Sequence, residues 1–263
     1  VSAKADKQAL KTPDVFISTT DHFFAWIERH ARTVGVAAAV AILASVAWVS
    51  YGLWQSSREN AAADAIFQSS EDLKKAETKV REERAKKMQQ TLGLGKDKAK
   101  NNEPVRPVDF AKDYQPAVDK VKAAIRTHAN TKSAVVAAMT TVAFLMEQKQ
   151  TAEALQVIEL VKYQPARKDM LNGLWQMHKG LVLMENKKLS EAEVAFETIL
   201  SVPELNAWYP EAQLKLGLTR ELAGQPDKAR AAYERTVKEF PQTDAAQTAQ
   251  QFLRLMKLKS QAS

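Results

Sequence analysis

Residues of matched size recur along the C-terminal half of this chain at a spacing of 37 or 38. Gly180 and Gly217 are 37 apart, as are Ala192 and Ala229, and as are Phe196 and Tyr233. A weaker copy upstream places Ala154 and Ile158 each 38 residues before Ala192 and Phe196. Equal offsets at several positions are the mark of one supersecondary unit repeated and stacked. Such a unit is an amphipathic helical hairpin, which cannot bury its apolar face alone, so its neighbours must cover it. Composition points the same way. The chain has only 8 glycines among 263 residues and is rich in Ala, Leu, Lys, Glu and Gln, whose side chains lose little freedom on a helix. No long alternating run of β-branched residues is present, so the fold class is all-α with no sheet.

The last copy shows what each position does. Counting Pro210 as the first, Leu216 and Gly217 fall at 7 and 8, Gly224 at 15, Ala229 at 20, Tyr233 at 24 and Pro241 at 32. Small residues at 8 and 20 let two helices approach closely, the ring at 24 fills the space between neighbouring hairpins, and proline at 32 ends the second helix. These are the consensus positions of the tetratricopeptide repeat (TPR), and the chain resembles that family. The middle copy keeps Gly180, Leu183, Ala192, Phe196 and Pro203. Arg220 stands where the family has an aromatic residue, which predicts a degraded contact. The pattern predicts hairpins over 133–163, 169–202 and 207–240, then a capping helix over 242–258 with Thr243 or Asp244 as its N-cap. Upstream, helices over 57–90 and 113–129 form a degenerate first hairpin. The Gly-, Pro- and Lys-containing loop 91–108 is inserted between them.

Val34 to Trp54 is 21 residues without a charge. As a helix it spans about 31 Å, close to the hydrocarbon thickness of a bilayer. Trp48, Tyr51 and Trp54 gather at one end, where amphipathic rings sit well among headgroups. A cleaved leader ending near Ala61–Ala63 is the competing reading, but the apolar run is longer than a leader needs. The organisation expected is a cytoplasmic segment 1–33, a transmembrane helix 34–54, a stalk and degenerate hairpin 55–132, and repeats with a cap over 133–263. Lys11, Arg29 and Arg32 lie on the N-terminal side against Arg58 alone on the other before Lys74. Positive-inside bias then places the N-terminus in the cytoplasm and the C-terminal domain in the periplasm. Phe16, Ile17, Phe23, Phe24, Trp26 and Ile27 precede the span as an amphipathic-looking stretch, suited to the cytoplasmic membrane surface or a partner, or more simply to a juxtamembrane helix that continues into the span.

Two hairpin junctions, Phe240-Pro241-Gln242-Thr243-Asp244-Ala245 and His128-Ala129-Asn130-Thr131-Lys132-Ser133-Ala134, look like those of bacterial envelope TPR proteins. With the single span, the architecture is similar to the YfgM-like family of translocon-associated periplasmic proteins. That resemblance implies an inner-membrane scaffold or holdase-like adaptor near the protein translocon. Its partners would be protein or unfolded polypeptide segments, with the translocon or a membrane-anchored chaperone among them. The alternative is a structural subunit of an envelope machine for motility, secretion or outer-membrane assembly.

Catalytic chemistry has no foothold in the sequence. There is no cysteine, hence no disulfide, thiolate zinc site or cysteine nucleophile. His22, His30, His128 and His178 are not at zinc-ligand spacing, and Gly93-Leu94-Gly95-Lys96 lacks the gap and the Ser/Thr of a phosphate loop. No enzyme, metal or cofactor is expected. Between Lys74 and Arg106 there are 11 Lys and Arg against 5 Asp and Glu, so the net charge of +7 belongs mostly to this segment. No aromatic interleaves these lysines, so a nucleic-acid platform is unsupported; a solvated charged segment is the simplest reading, and contact with anionic lipid or an acidic partner is the alternative. The residues that line a TPR groove are Leu174, Met177, Leu181 and Met184, with Leu214 and Leu218 in the next copy and Met139 and Met146 in the first. Flexible methionine beside leucine suits a surface that accepts varied apolar segments. Packing between adjacent first helices is the plainer alternative.

Overall fold

The computed structural model describes residues 30–91 and 107–262. The expectations for the N-terminal aromatic stretch and for most of the inserted loop lie outside those residues. Ten α-helices are described: α1 (Ala31–Thr91), α2 (Phe110–Asp113), α3 (Gln115–Thr127), α4 (Lys132–Glu147), α5 (Thr151–Leu160), α6 (Met170–Glu185), α7 (Leu189–Leu200), α8 (Tyr209–Leu222), α9 (Pro226–Glu239) and α10 (Asp244–Ala262). A short 3₁₀ turn, Pro203–Trp208, precedes α8, and no strand occurs among the described residues. The fold is all-α. The chain divides into two compact units, Val1–Ser57 and Arg58–Ser263.

In the first unit, α1 carries the uncharged stretch, and every side chain from Ala39 to Trp54 is exposed. Leu43 is 69% and Trp48 81% exposed. By length and composition α1 is the one described helix apolar enough to cross a membrane.

In the second unit, α4–α5, α6–α7 and α8–α9 are successive antiparallel hairpins. Each turns on one residue in the left-handed region: Lys149 at φ 59°, Lys187 at 61° and Gly224 at 71°. These positions keep the 38- and 37-residue offsets. The amide after each reaches back around the end of the first helix: Gln150 N to Leu145 O at 2.8 Å, Lys188 N to Leu183 O at 2.9 Å and Gln225 N to Arg220 O at 2.9 Å. This closure satisfies carbonyls that a helix end otherwise leaves open.

Within each hairpin the two helices meet at residues 16 apart. A Cβ built on Gly180 would lie 2.6 Å from the Phe196 ring, and one on Gly217 would lie 2.5 Å from the Tyr233 ring. Only hydrogen fits there. In the first hairpin the same pair is Val142 and Ile158, both in one buried cluster, so a smaller partner permits a larger residue. Phe196 and Tyr233 are fully buried. Burial of that kind stabilises by about 1.5–3 kcal/mol per side chain. The Tyr233 hydroxyl donates to Glu221 at 3.1 Å. Burial, and then the Glu221 charge and hydrogen bond, push this phenol far above its ordinary pKa.

Junctions between hairpins are capped by side chains. Thr131 Oγ1 accepts from Ala134 N at 3.2 Å and donates to His128 O, and Thr243 Oγ1 does the same with Ala246 N and Phe240 O. Thr243 is therefore the cap of α10, and Asp169 caps α6 through Leu171 N. At Arg220 the expected weak contact is replaced. Its guanidinium, 19% exposed, binds Glu193 at 2.6 Å and Glu197 at 2.8 Å, which ties α8 to α7 of the preceding hairpin. At the N-terminal end, Ala62, Ile66 and Leu73 of α1 share a core with Val118, Val121 and Ile125 of α3 and with α4. An ion pair from Lys120 to Asp72 at 2.7 Å lies beside it.

Two opposite substitutions test this account by urea denaturation. Gly217→Ala should lose about 1–3 kcal/mol to the Tyr233 ring. Lys187→Gly should gain about 0.5–1 kcal/mol, because the left-handed penalty on a side chain exceeds the extra entropy of the unfolded glycine. Equal effects of one sign would refute the packing described.

Candidate protein-binding groove

The six residues expected to line a groove are not gathered on one open surface. Met177, Met184 and Leu214 are 6%, 5% and 5% exposed. Met177 and Met184 pack with Phe196, Ile199, Leu205 and Leu216, while Leu214 packs with Tyr233 and with Ala245, Ala249 and Met256 of α10. Leu181 and Leu218 are half-buried against the first of these clusters, and Leu174 against the cluster of the hairpin before. Met139 is buried and Met146 half-buried in that same earlier cluster. The repeat itself is the cause. Gly180 and Ala192 draw α6 and α7 together, and the next hairpin then closes over their common face.

An open apolar groove lies instead between α1 and α4. Ala63, Ile66, Phe67, Val136, Ala137 and Thr140 line a cavity of about 440 Å³. Phe67 is 66% and Val136 47% exposed. Phe67 follows Ile66 by one residue, about 100° around the helix, so it sits at the edge of the buried stripe and projects from it. One end of the groove is fixed by Glu59. Its carboxylate accepts from Lys132 N at 3.1 Å, Ser133 N at 2.6 Å and Ser133 Oγ at 2.5 Å, so a side chain of α1 caps α4. Burial alone would raise the pKa of Glu59, but the Ser133 hydrogen bonds and the Lys132 charge outweigh it and hold it below its usual value. Sequence reading missed this groove. Its signal was a lone phenylalanine in an otherwise small and polar stretch, which periodicity discounts.

No cluster of three or more metal-ligating side chains occurs among the described residues. His178 is half-buried and desolvation lowers its pKa, but no acid or nucleophile is hydrogen-bonded to it.

A stack of close-packed helical hairpins with an open apolar groove defines a helical-repeat interaction module. Residues 25–218 match the tetratricopeptide repeat-like domain family, and residues 211–243 match a tetratricopeptide repeat. The chain belongs to the tetratricopeptide repeat-like domain family. No curated protein and no solved structure matches it. Domains of this kind act as protein–protein interaction modules and are typically non-catalytic.

The burial pattern makes a paired prediction for melting temperature. Met177→Gln places an unpaired amide in the interior and should cost about 1–3 kcal/mol. Phe67→Ser, on the open groove, should stay within about 0.5 kcal/mol of the parent. The reverse order would mean that the methionine is the exposed residue.

Proposed function

We propose that this chain is a membrane-anchored TPR binding module of the bacterial envelope, acting as a scaffold or adaptor beside the protein translocon. The observation that carries the reading is one chain holding both an uncharged helical stretch of bilayer length, exposed throughout from Ala39 to Trp54, and a stack of tetratricopeptide repeat-like hairpins. An apolar helix of this length is stable with its surface in hydrocarbon, since its backbone groups are satisfied internally. The Lys and Arg asymmetry puts residues 1–33 in the cytoplasm and the repeats in the periplasm. The boundaries follow: anchor 34–54, stalk and first hairpin 55–132, repeats and cap 133–263. The resemblance to translocon-associated envelope proteins supports the setting. Partners are protein segments, including the translocon and a membrane-anchored chaperone. Interior placement of Met177, Met184 and Leu214 favours a scaffold over a holdase that would need those side chains free.

Reporter fusions at the C-terminus test the topology. A periplasm-dependent reporter should be active and a cytoplasm-dependent one silent, with the protein retained in the membrane fraction after carbonate wash. The opposite reporter pattern would overturn the orientation and the translocon setting with it. A photo-crosslinker at Phe67 in intact membranes should reach translocon subunits or a chaperone anchored beside them. Crosslinks only to proteins remote from the translocon would move the module to another envelope machine.

A further inference from the structure

A second cavity, of about 490 Å³, opens between one face of α1, the start of α3 and the end of α4. Its size is within the range of small-molecule sites. At its floor is Tyr114, 4% exposed, with its ring edge-on to Phe144 at 5.1 Å and near Phe110 at 6.0 Å. Those two rings fix its direction. The Tyr114 hydroxyl makes no hydrogen bond to any described residue and opens on the cavity, where a ligand oxygen can replace solvent as its partner.

Charges of both signs surround that hydroxyl. Arg81 and Arg84, one turn apart on α1, line the cavity, as do Glu77 and Glu147. None of the four makes an ion pair with a described residue. Glu147 is the last residue of α4, at the negative end of the helix dipole, which adds to the pull on a cation. Guanidinium groups and a phenol hydroxyl are together suited to a carboxylate or phosphate. A simple anion would then face two carboxylates, and a simple cation two guanidiniums. Only a ligand with both charges meets each with its opposite. Val80, Ala85 and Met88 leave an apolar wall for its uncharged part.

We propose that this cavity binds a small zwitterion, its anion held by Arg81, Arg84 and the Tyr114 hydroxyl and its ammonium by Glu147 and Glu77. Two sources carry that chemistry: a short peptide with free termini, and a phosphoethanolamine headgroup. The test is calorimetric titration of the full chain in detergent with tri-alanine, with tri-alanine acetylated and amidated at its ends, and with phosphoethanolamine. Binding of tri-alanine or of phosphoethanolamine, whichever is the tighter, identifies the source and supports the site. Arg84→Gln should weaken that binding tenfold or more, and Tyr114→Phe about threefold to tenfold, as loss of a charged and of a neutral hydrogen bond imply. Tyr114→Phe keeps the ring packing, so its melting temperature should be unchanged or higher without ligand. Equal affinity for the blocked peptide, no binding of either zwitterion at millimolar concentration, or undiminished binding by Tyr114→Phe would each overturn the proposal.

Discussion

Each hairpin of the second unit rests on one close contact, between the residue at the repeat's eighth position and the ring or branched chain 16 residues later. Gly180 lies under Phe196 and Gly217 under Tyr233, with no room for a methyl group at either glycine. That contact sets how near the two helices come, and hence which side chains of the first helix remain for the next hairpin to cover. It also makes the repeats interdependent. Phe196 packs with Ala212 and Leu216 of the following hairpin, and Tyr233 with Ala249 of α10. The contact is thus both the glue of one unit and the floor of the next.

This dependence explains why Met177, Met184 and Leu214 lie inside. A flexible thioether fills irregular gaps well, and the same property suits it to an adaptable open surface. Residue type alone therefore leaves both uses open. Whether the neighbouring hairpin closes over these side chains decides between them, and closure is a tertiary fact. Where the stack runs out of preceding hairpins, the equivalent face is less filled, and there Phe67 and Val136 stay open between α1 and α4.

The hairpin pattern was legible because its key residues are identities at fixed offsets: glycine, alanine, aromatic and proline. The turns were legible only in the last copy, where Gly224 stands at the left-handed position. Lys149 and Lys187 occupy that conformation with nothing in their side chains to announce it. Arg220 is a different case. It breaks the consensus, and sequence reading registers only the loss. Its compensation depends on Glu193 and Glu197, 27 and 23 residues earlier, which the stacking of α7 on α8 brings within 2.6 and 2.8 Å. The Glu59 cap on α4 likewise joins residues more than 70 apart and has no local signature.

Exposed apolar surface separates the two units more sharply than their helices do. In the second unit Val194 and Leu222 are exposed singly, as is common on folded proteins, and Phe67 with Val136 lines a shared groove. In the first unit the exposed chains are continuous: Val40, Ile42, Leu43, Val46, Trp48, Val49, Tyr51, Leu53 and Trp54. At about 25 cal/mol per Å² of apolar surface, several such side chains in water would cost more than the whole net stability of a small domain. By length and composition such a helix is a candidate membrane span, since hydrocarbon would accept that surface. Arg58, the first residue of the second unit, ends the uncharged run, and from there α1 buries Ala62, Ile66 and Leu73 against protein rather than presenting apolar side chains on every face. Within one helix, apolar side chains on every face give way to a single buried stripe, the pattern a helix takes where it packs on protein along one side.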